Sequence, residues 1–362
     1  MKAGSFLIVA ICLHFCSSSA ASTYFVGNSL TLDGLGHYSP EGLGFHRLAA
    51  SAGIDLDYGF HLRCGSALPD TLANPTDVCV TSPFQYGRFY KALPSYQWDA
   101  VTIQPYLGTS LALDAAATKS FIELAQSHPG NSDTAFYLYS AWPALTVGKY
   151  STYWEADLQE DDSLPSQQHR SYADHLFARV DKQNDVTLRL IPAGEVLYRL
   201  DKLIDAGELP GVTSINQFYR DDLHLSNLGK YIASATILAV TEREDPAQFL
   251  VPVSNYGEIS TATLEVLHKT IWDVVASDPR TGIADFDDDG AIGASDLALW
   301  MTGNPRADAN GDELVDGADF LIWQRQFDPA SANLNPVPEP ATSSLALLAM
   351  CLPGVWKAAR RR

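Results

Sequence analysis

Thr23-Tyr24-Phe25-Val26-Gly27-Asn28-Ser29-Leu30-Thr31 is the stretch on which the reading of this chain turns. A short apolar run ends in Gly27-Asn28 and delivers Ser29 at the mouth of a turn. In an open α/β sheet, ligands sit beyond the carboxyl ends of the strands. A serine there is a candidate nucleophile, provided a histidine and an acid reach it from elsewhere. Taken alone, the same glycine, asparagine and serine also make an ordinary turn.

Four further runs, residues 56–62, 99–104, 134–139 and 186–191, read as strands. Helical patterns occupy residues 45–52, 113–127, 170–180, 194–206 and 261–276, and an apolar helix ends near residue 240. Strands separated by helices at this interval predict an α/β protein, with a mainly parallel five-stranded sheet inside a three-layer α/β/α arrangement. Residues 33–44 read as a polar, glycine-rich loop, residues 84–97 are aromatic without clear period, and residues 148–168 read as a polar, acidic insertion. This unit spans residues 22–277, and residues 278–284 read as a linker.

At 362 residues, with 46% hydrophobic and 19% charged residues, the composition is that of a globular protein. A net charge of −19 argues against a nucleic-acid partner. Lys2, the apolar residues 6–15 and the small residues 17–21 read as a secretory signal, which predicts a secreted or cell-surface protein. Cys12 and Cys16 fall in that signal and Cys351 in the tail, leaving Cys64 and Cys79, 15 positions apart. In an oxidising compartment a bridge between them is expected, worth about 3 kcal/mol by chain entropy. Two separate buried thiols are the alternative.

The histidine that matters sits in Tyr219-Arg220-Asp221-Asp222-Leu223-His224-Leu225-Ser226-Asn227-Leu228-Gly229, just before the apolar helix. Ser226 or Asn227 can cap that helix. Asp221, three residues before His224, can hydrogen-bond the imidazole and fix its tautomer; a merely solvated loop is the plainer alternative. A serine after the first strand and Asp-x-x-His before the last helix together resemble the first and last blocks of the SGNH/GDSL hydrolase family, over roughly residues 23–241.

The resemblance implies Ser29 as nucleophile, His224 as general base and Asp221 as its orienting acid, with no cofactor for catalysis. It also implies an oxyanion hole from the N–H groups of Ser29 and Gly65 and the side-chain amide of Gln104. Gly229 matches a usual glycine of the last block. Two departures stand out: Asn28 replaces the usual aspartate of Gly-Asp-Ser-Leu, and Ile103-Gln104-Pro105-Tyr106 replaces the usual Gly-x-Asn-Asp. The expected substrate is a carboxylic ester, with acetyl esters on extracellular polysaccharide suited to an exported enzyme. The alternative is a non-catalytic binding or surface scaffold protein that keeps the fold.

A second pattern begins at Asp285-Phe286-Asp287-Asp288-Asp289-Gly290-Ala291-Ile292-Gly293-Ala294-Ser295-Asp296. Oxygen donors at positions 1, 3, 5 and 12, the position-7 carbonyl of Ala291 and Gly290 at position 6 are what a calcium loop requires. The pattern repeats 23 residues later as Asp308, Asn310, Asp312, Leu314 and Asp319, with Glu313 in place of the glycine. An apolar helix follows each loop, with Trp300 and Trp323 in similar places. Residues 285–329 thus resemble a dockerin type I module, a small all-α unit that implies structural calcium and a cohesin partner. After a linker at residues 330–336, Val337-Pro338-Glu339-Pro340, an apolar stretch and Arg360-Arg361-Arg362 resemble a PEP-CTERM sorting signal of bacterial exported proteins. That resemblance implies export and sorting machinery as partners and a transient membrane association.

Overall fold

The computed structural model describes residues 21–81, 86–312 and 314–327. Its strands are β1 (Ala21–Gly27), β2 (Tyr38–Ser39), β3 (Gly42–Leu43), β4 (Leu56–Leu62), β5 (Ala100–Ile103), β6 (Ala135–Tyr139) and β7 (Leu188–Ile191). Its helices are α1 (Ser29–Gly34), α2 (Gly44–Ser51), α3 (Leu68–Ala73), α4 (Phe89–Ser95), α5 (Leu111–Gln126), α6 (Tyr150–Trp154), α7 (Arg170–Gln183), α8 (Ala193–Ala206), α9 (Asn227–Thr241), α10 (Val253–Tyr256), α11 (Thr261–Ser277), α12 (Ala294–Met301) and α13 (Gly317–Gln326).

The protein is α/β, with a five-stranded parallel sheet ordered β4-β1-β5-β6-β7. Side chains alternate between the faces of a strand, and here both faces are apolar. Tyr24 and Val26 of β1, Val101 and Ile103 of β5, and Phe136 and Leu138 of β6 enter one core with Leu68, Phe89, Phe121 and Leu176 of α3, α4, α5 and α7. Phe25, Tyr137 and Tyr139 enter the other, with Leu30, Leu48, Leu197, Ile237 and Ile271 of α1, α2, α8, α9 and α11. Helices therefore cover both faces.

The chain runs from β1 to β4 on one side and then crosses to β5 on the other, so the strand order reverses at β1. Such a switch point leaves a crevice beyond the carboxyl ends of the strands. Ser29 lies there, with the segments following β4 and β5 to either side.

Several expectations shift. The turn at Ser29 is the start of a helix, α1, and the loop over residues 33–44 contains the β2–β3 ladder. Helices α3 and α4 form where the sequence carries little period; α4 even contains Pro94. Residues 278–284 are not an open linker, because Thr281, Ile283 and Ala284 are buried. Phe286, Ile292, Ile322 and Trp323 share one core with Ile271 and Val275 of α11. Most of the signal segment, with Cys12 and Cys16, lies outside the described residues, as do Cys351 and the sorting segment 337–362. Among the described residues no helix is long and apolar enough to cross a membrane.

Candidate active site

Asn28 starts the site. Its extended backbone ends β1, and its side-chain oxygen accepts the Leu30 N–H at 2.9 Å, so α1 begins at Ser29. An N-cap of this kind satisfies one of the first-turn donors that a helix cannot pair internally. Gly27 permits the tight exit, since a Cβ there would lie 2.0 Å from Thr31 Oγ1.

The histidine arrives on a backbone hairpin. Tyr219 pairs with Leu225, Arg220 N–H donates to the His224 carbonyl at 2.9 Å, and Ser226 N–H donates to the Phe218 carbonyl at 2.8 Å. Within that loop Asp221 Oδ1 accepts the N–H groups of Leu223 (2.9 Å) and His224 (2.7 Å). The His224 amide, then burial acting the other way, then the Leu223 amide and the imidazole set the Asp221 carboxyl, which is held well below the usual carboxylate range. It is therefore ionised at neutral pH. His224 Nδ1 lies 3.0 Å from Asp221 Oδ2 and 3.1 Å from Oδ1, and its Nε2 lies 3.0 Å from Ser29 Oγ. A carboxylate only accepts, so Nδ1 carries the proton and Nε2 is left to accept from the Ser29 hydroxyl. Three residues from the two ends of the unit thus form one hydrogen-bonded chain.

Two supports for this loop were not expected from the sequence. Trp142, fully buried, donates its indole N–H to the Leu223 carbonyl at 2.9 Å. Asp33, one turn after Ser29 on α1, accepts the Leu225 N–H at 2.8 Å and lies 3.4 Å from Lys230 Nζ and 3.7 Å from Arg220. Burial raises the Asp33 pKa and lowers that of Lys230, so desolvation outweighs their mutual attraction. A lysine inside the otherwise apolar run of α9 was the available signal, because a buried ammonium demands a carboxylate. Gly229 is required by close approach: a Cβ would meet the Phe218 carbonyl oxygen at 2.2 Å.

The three expected oxyanion donors differ in standing. The Ser29 amide is in the first turn of α1, where helix N–H groups have no internal partner. Gly65 adopts φ +68° in an exposed turn closed by Ser66 N–H to the Arg63 carbonyl. That turn is pinned by the Cys64–Cys79 bridge, with Cα atoms 5.6 Å apart, and by Cys79 N–H to the Leu62 carbonyl. Gln104 is buried and committed at both ends of its amide. Its oxygen accepts from Thr31 Oγ1 at 3.1 Å, and its nitrogen donates to the Pro105 carbonyl. One amide hydrogen remains for any oxyanion.

At the opposite end of the sheet, Asp285, Asp287 and Asp289 each place a carboxylate oxygen within 4.8 Å of the others. Asp285 is 2% exposed and its Oδ1 has no hydrogen-bond partner, which suits a cation ligand. Asp288 and Gly290 take the left-handed backbone at positions 4 and 6, and Gly311 does so at position 4 of the second loop. Asp296 and Asp319 occupy matching places. Each accepts backbone N–H groups from both ends of its own loop, Phe286 and Gly293 for the first, Ala309 and Asp316 for the second. In the second loop Asp308 accepts the Gly311 and Asp312 amides, Asn310 donates to Asp312, and Leu314 N–H donates to Asp312. Ala291 N–H donates likewise to Asp289. The two repeats face each other reciprocally: Trp300 donates to the Asp316 carbonyl and Trp323 to the Gly293 carbonyl.

Comparison with protein-family models and with curated proteins finds no match for this chain.

Proposed function

We propose that this chain is an exported serine esterase of the SGNH type, carrying a dockerin-like calcium module and a PEP-CTERM sorting signal. The observation that carries the reading is the chain Ser29 Oγ, His224 Nε2, His224 Nδ1, Asp221, with links of 3.0 to 3.1 Å that join Ser29 to a turn 195 positions away in sequence. Ser29 Oγ attacks the ester carbonyl carbon while its proton passes to His224 Nε2. The ionised Asp221 stabilises the imidazolium. The carbonyl oxygen, now an oxyanion, takes the N–H groups of Ser29 and Gly65 and the remaining hydrogen of Gln104. Collapse breaks the ester bond and the departing alkoxide takes the proton from Nε2. Water, deprotonated by the same nitrogen, then adds to the acyl carbon, and the Oγ–acyl bond breaks as Ser29 Oγ takes the proton back from Nε2 and the acid leaves.

Calcium, when bound, would supply charge neutralisation for the carboxylates of Asp285, Asp287, Asp289 and Asp296, and in the second loop of Asp308, Asp312 and Asp319. Esters on extracellular polysaccharide suit the half-exposed Asp221 and partly exposed His224, which leave the site open to a polymer. The second reading, a binding protein that has lost catalysis, is favoured by one observation, the double commitment of the Gln104 amide. Hydrolysis of p-nitrophenyl acetate by the full chain separates the two. Turnover that Ser29→Ala abolishes supports the esterase; none in the parent chain favours the binding protein, and turnover unchanged by Ser29→Ala overturns the Ser29 assignment.

A further inference from the structure

We propose that Arg189 and Arg243 latch the first acidic loop to the base of the sheet, so that calcium binding there and the folding of the esterase unit form one equilibrium. The inference rests on the calcium reading above and goes beyond it, because a dockerin-like module need not touch the unit that carries it.

Arg189 lies in β7, opposite Tyr137 of β6, and its side chain is 7% exposed. It crosses Gly282 closely, where a Cβ would lie 2.6 Å from Nε. Nη1 reaches the Tyr137 hydroxyl at 3.3 Å; Nη2 reaches Asp285 Oδ2 at 3.1 Å and Asp288 Oδ1 at 3.0 Å. Arg243, just after α9, reaches the same Asp288 oxygen at 2.6 Å. Arg243 (φ 55°) and Asp288 (φ 59°) are, among the described residues, the non-glycine residues with positive φ, and they are bonded to each other. For Asp288 that backbone belongs to position 4 of the loop, as at Gly311 in the second; for Arg243 it is a conformation that side chains rarely hold unless their surroundings impose it.

The latch leaves one ligand atom free. Asp285 Oδ2 is taken by Arg189 and by the Gly290 N–H at 3.1 Å, while Oδ1, in the same buried carboxylate, has no hydrogen-bond partner. A buried carboxylate oxygen without a partner is costly, and a cation shared with Asp287 and Asp289 removes that cost. The other end of the module is fixed as well. Gln326, at the end of α13, bonds the Val275 and Asp278 carbonyls, Thr281 Oγ1 and the Ala284 N–H, all at 3.0–3.1 Å.

A ligand that binds only the folded state stabilises every segment that must unfold with its site. Hydrogen exchange of the full chain, followed by mass spectrometry with and without calcium, reads this directly. At free calcium one hundred times Kd, globally exchanging amides of residues 135–139 and 188–191 should slow about a hundredfold, together with those of residues 285–296. In Arg189→Lys/Arg243→Met, residues 285–296 should still respond while the response of residues 188–191 falls at least tenfold. Arg243→Met alone, at a partly exposed position, gives a partial loss if the double variant does not fold. Protection confined to residues 285–327, or transmitted undiminished in the variants, overturns the latch and leaves the calcium site standing. No response to calcium anywhere overturns both, and neither outcome touches Ser29-dependent hydrolysis.

Discussion

Replacing Asp33 by asparagine removes one charge from beneath the histidine loop and leaves its shape. The side chain is 2% exposed, and its partner Lys230 is 8% exposed at 3.4 Å. Asparagine keeps an oxygen for the Leu225 N–H but strands the ammonium of Lys230. Breaking a buried pair from one side costs about 3–5 kcal/mol; with half-exposed Arg220 no longer needing a partner, about 3 kcal/mol is expected in urea unfolding near neutral pH. The pH dependence has a definite sign. Burial already depresses the Lys230 pKa against the pull of Asp33, and loss of Asp33 depresses it further. Between the folded and unfolded pKa of Lys230 the unfolded state binds more protons, so the deficit of the variant shrinks as pH rises through that window. Lys230→Met in the same background removes the stranded charge. The double variant should recover at least about 2 kcal/mol relative to additivity. A coupling under about 0.5 kcal/mol, or an Asp33→Asn deficit that grows with pH, would refute the reasoning.

Gly229→Ala must push the Phe218 carbonyl back by about 1 Å from the 2.2 Å contact, and the displaced loop carries His224; kcat on p-nitrophenyl acetate should fall about a hundredfold with KM little changed. Asp114 is buried, its pKa raised to about 7 by burial against the Tyr172 hydroxyl bond that lowers it. The folded state therefore holds a proton that the unfolded state releases, so stability falls from about pH 4 to pH 7, by up to about 4 kcal/mol. Urea midpoints of Asp114→Asn should lack that part of the slope. Cys64→Ser/Cys79→Ser should lose about 3 kcal/mol, and kcat should drop with it as the Gly65 turn loosens.

The five sheet strands were legible because β1 and β5 are short apolar runs, β4 alternates, and turn residues or helical patterns separate them all; in β1 both faces are buried, as the unbroken Tyr24-Phe25-Val26 indicates. Strand order was not, since no local pattern says that β1 lies between β4 and β5. Helix α1, six residues long, is too short for a period to show. Asp221 and His224 were readable because both sit on one turn. Asp33 was hidden because its partners, Leu225 and Lys230, are almost two hundred residues away. Residues 278–284 look like a linker by composition, yet Gln326 and the α11 core bury their second half, residues 281–284. That packing depends on side chains nearly fifty positions apart, which a local reading does not see.

Covalent labelling by a fluorophosphonate tests the central claim most directly, since the reagent traps a serine only when a base activates it. Mass spectrometry of the full chain should find one adduct, on Ser29, with His224→Ala labelling at least about a hundredfold more slowly. No adduct on Ser29, or equal labelling in His224→Ala, would contradict the account.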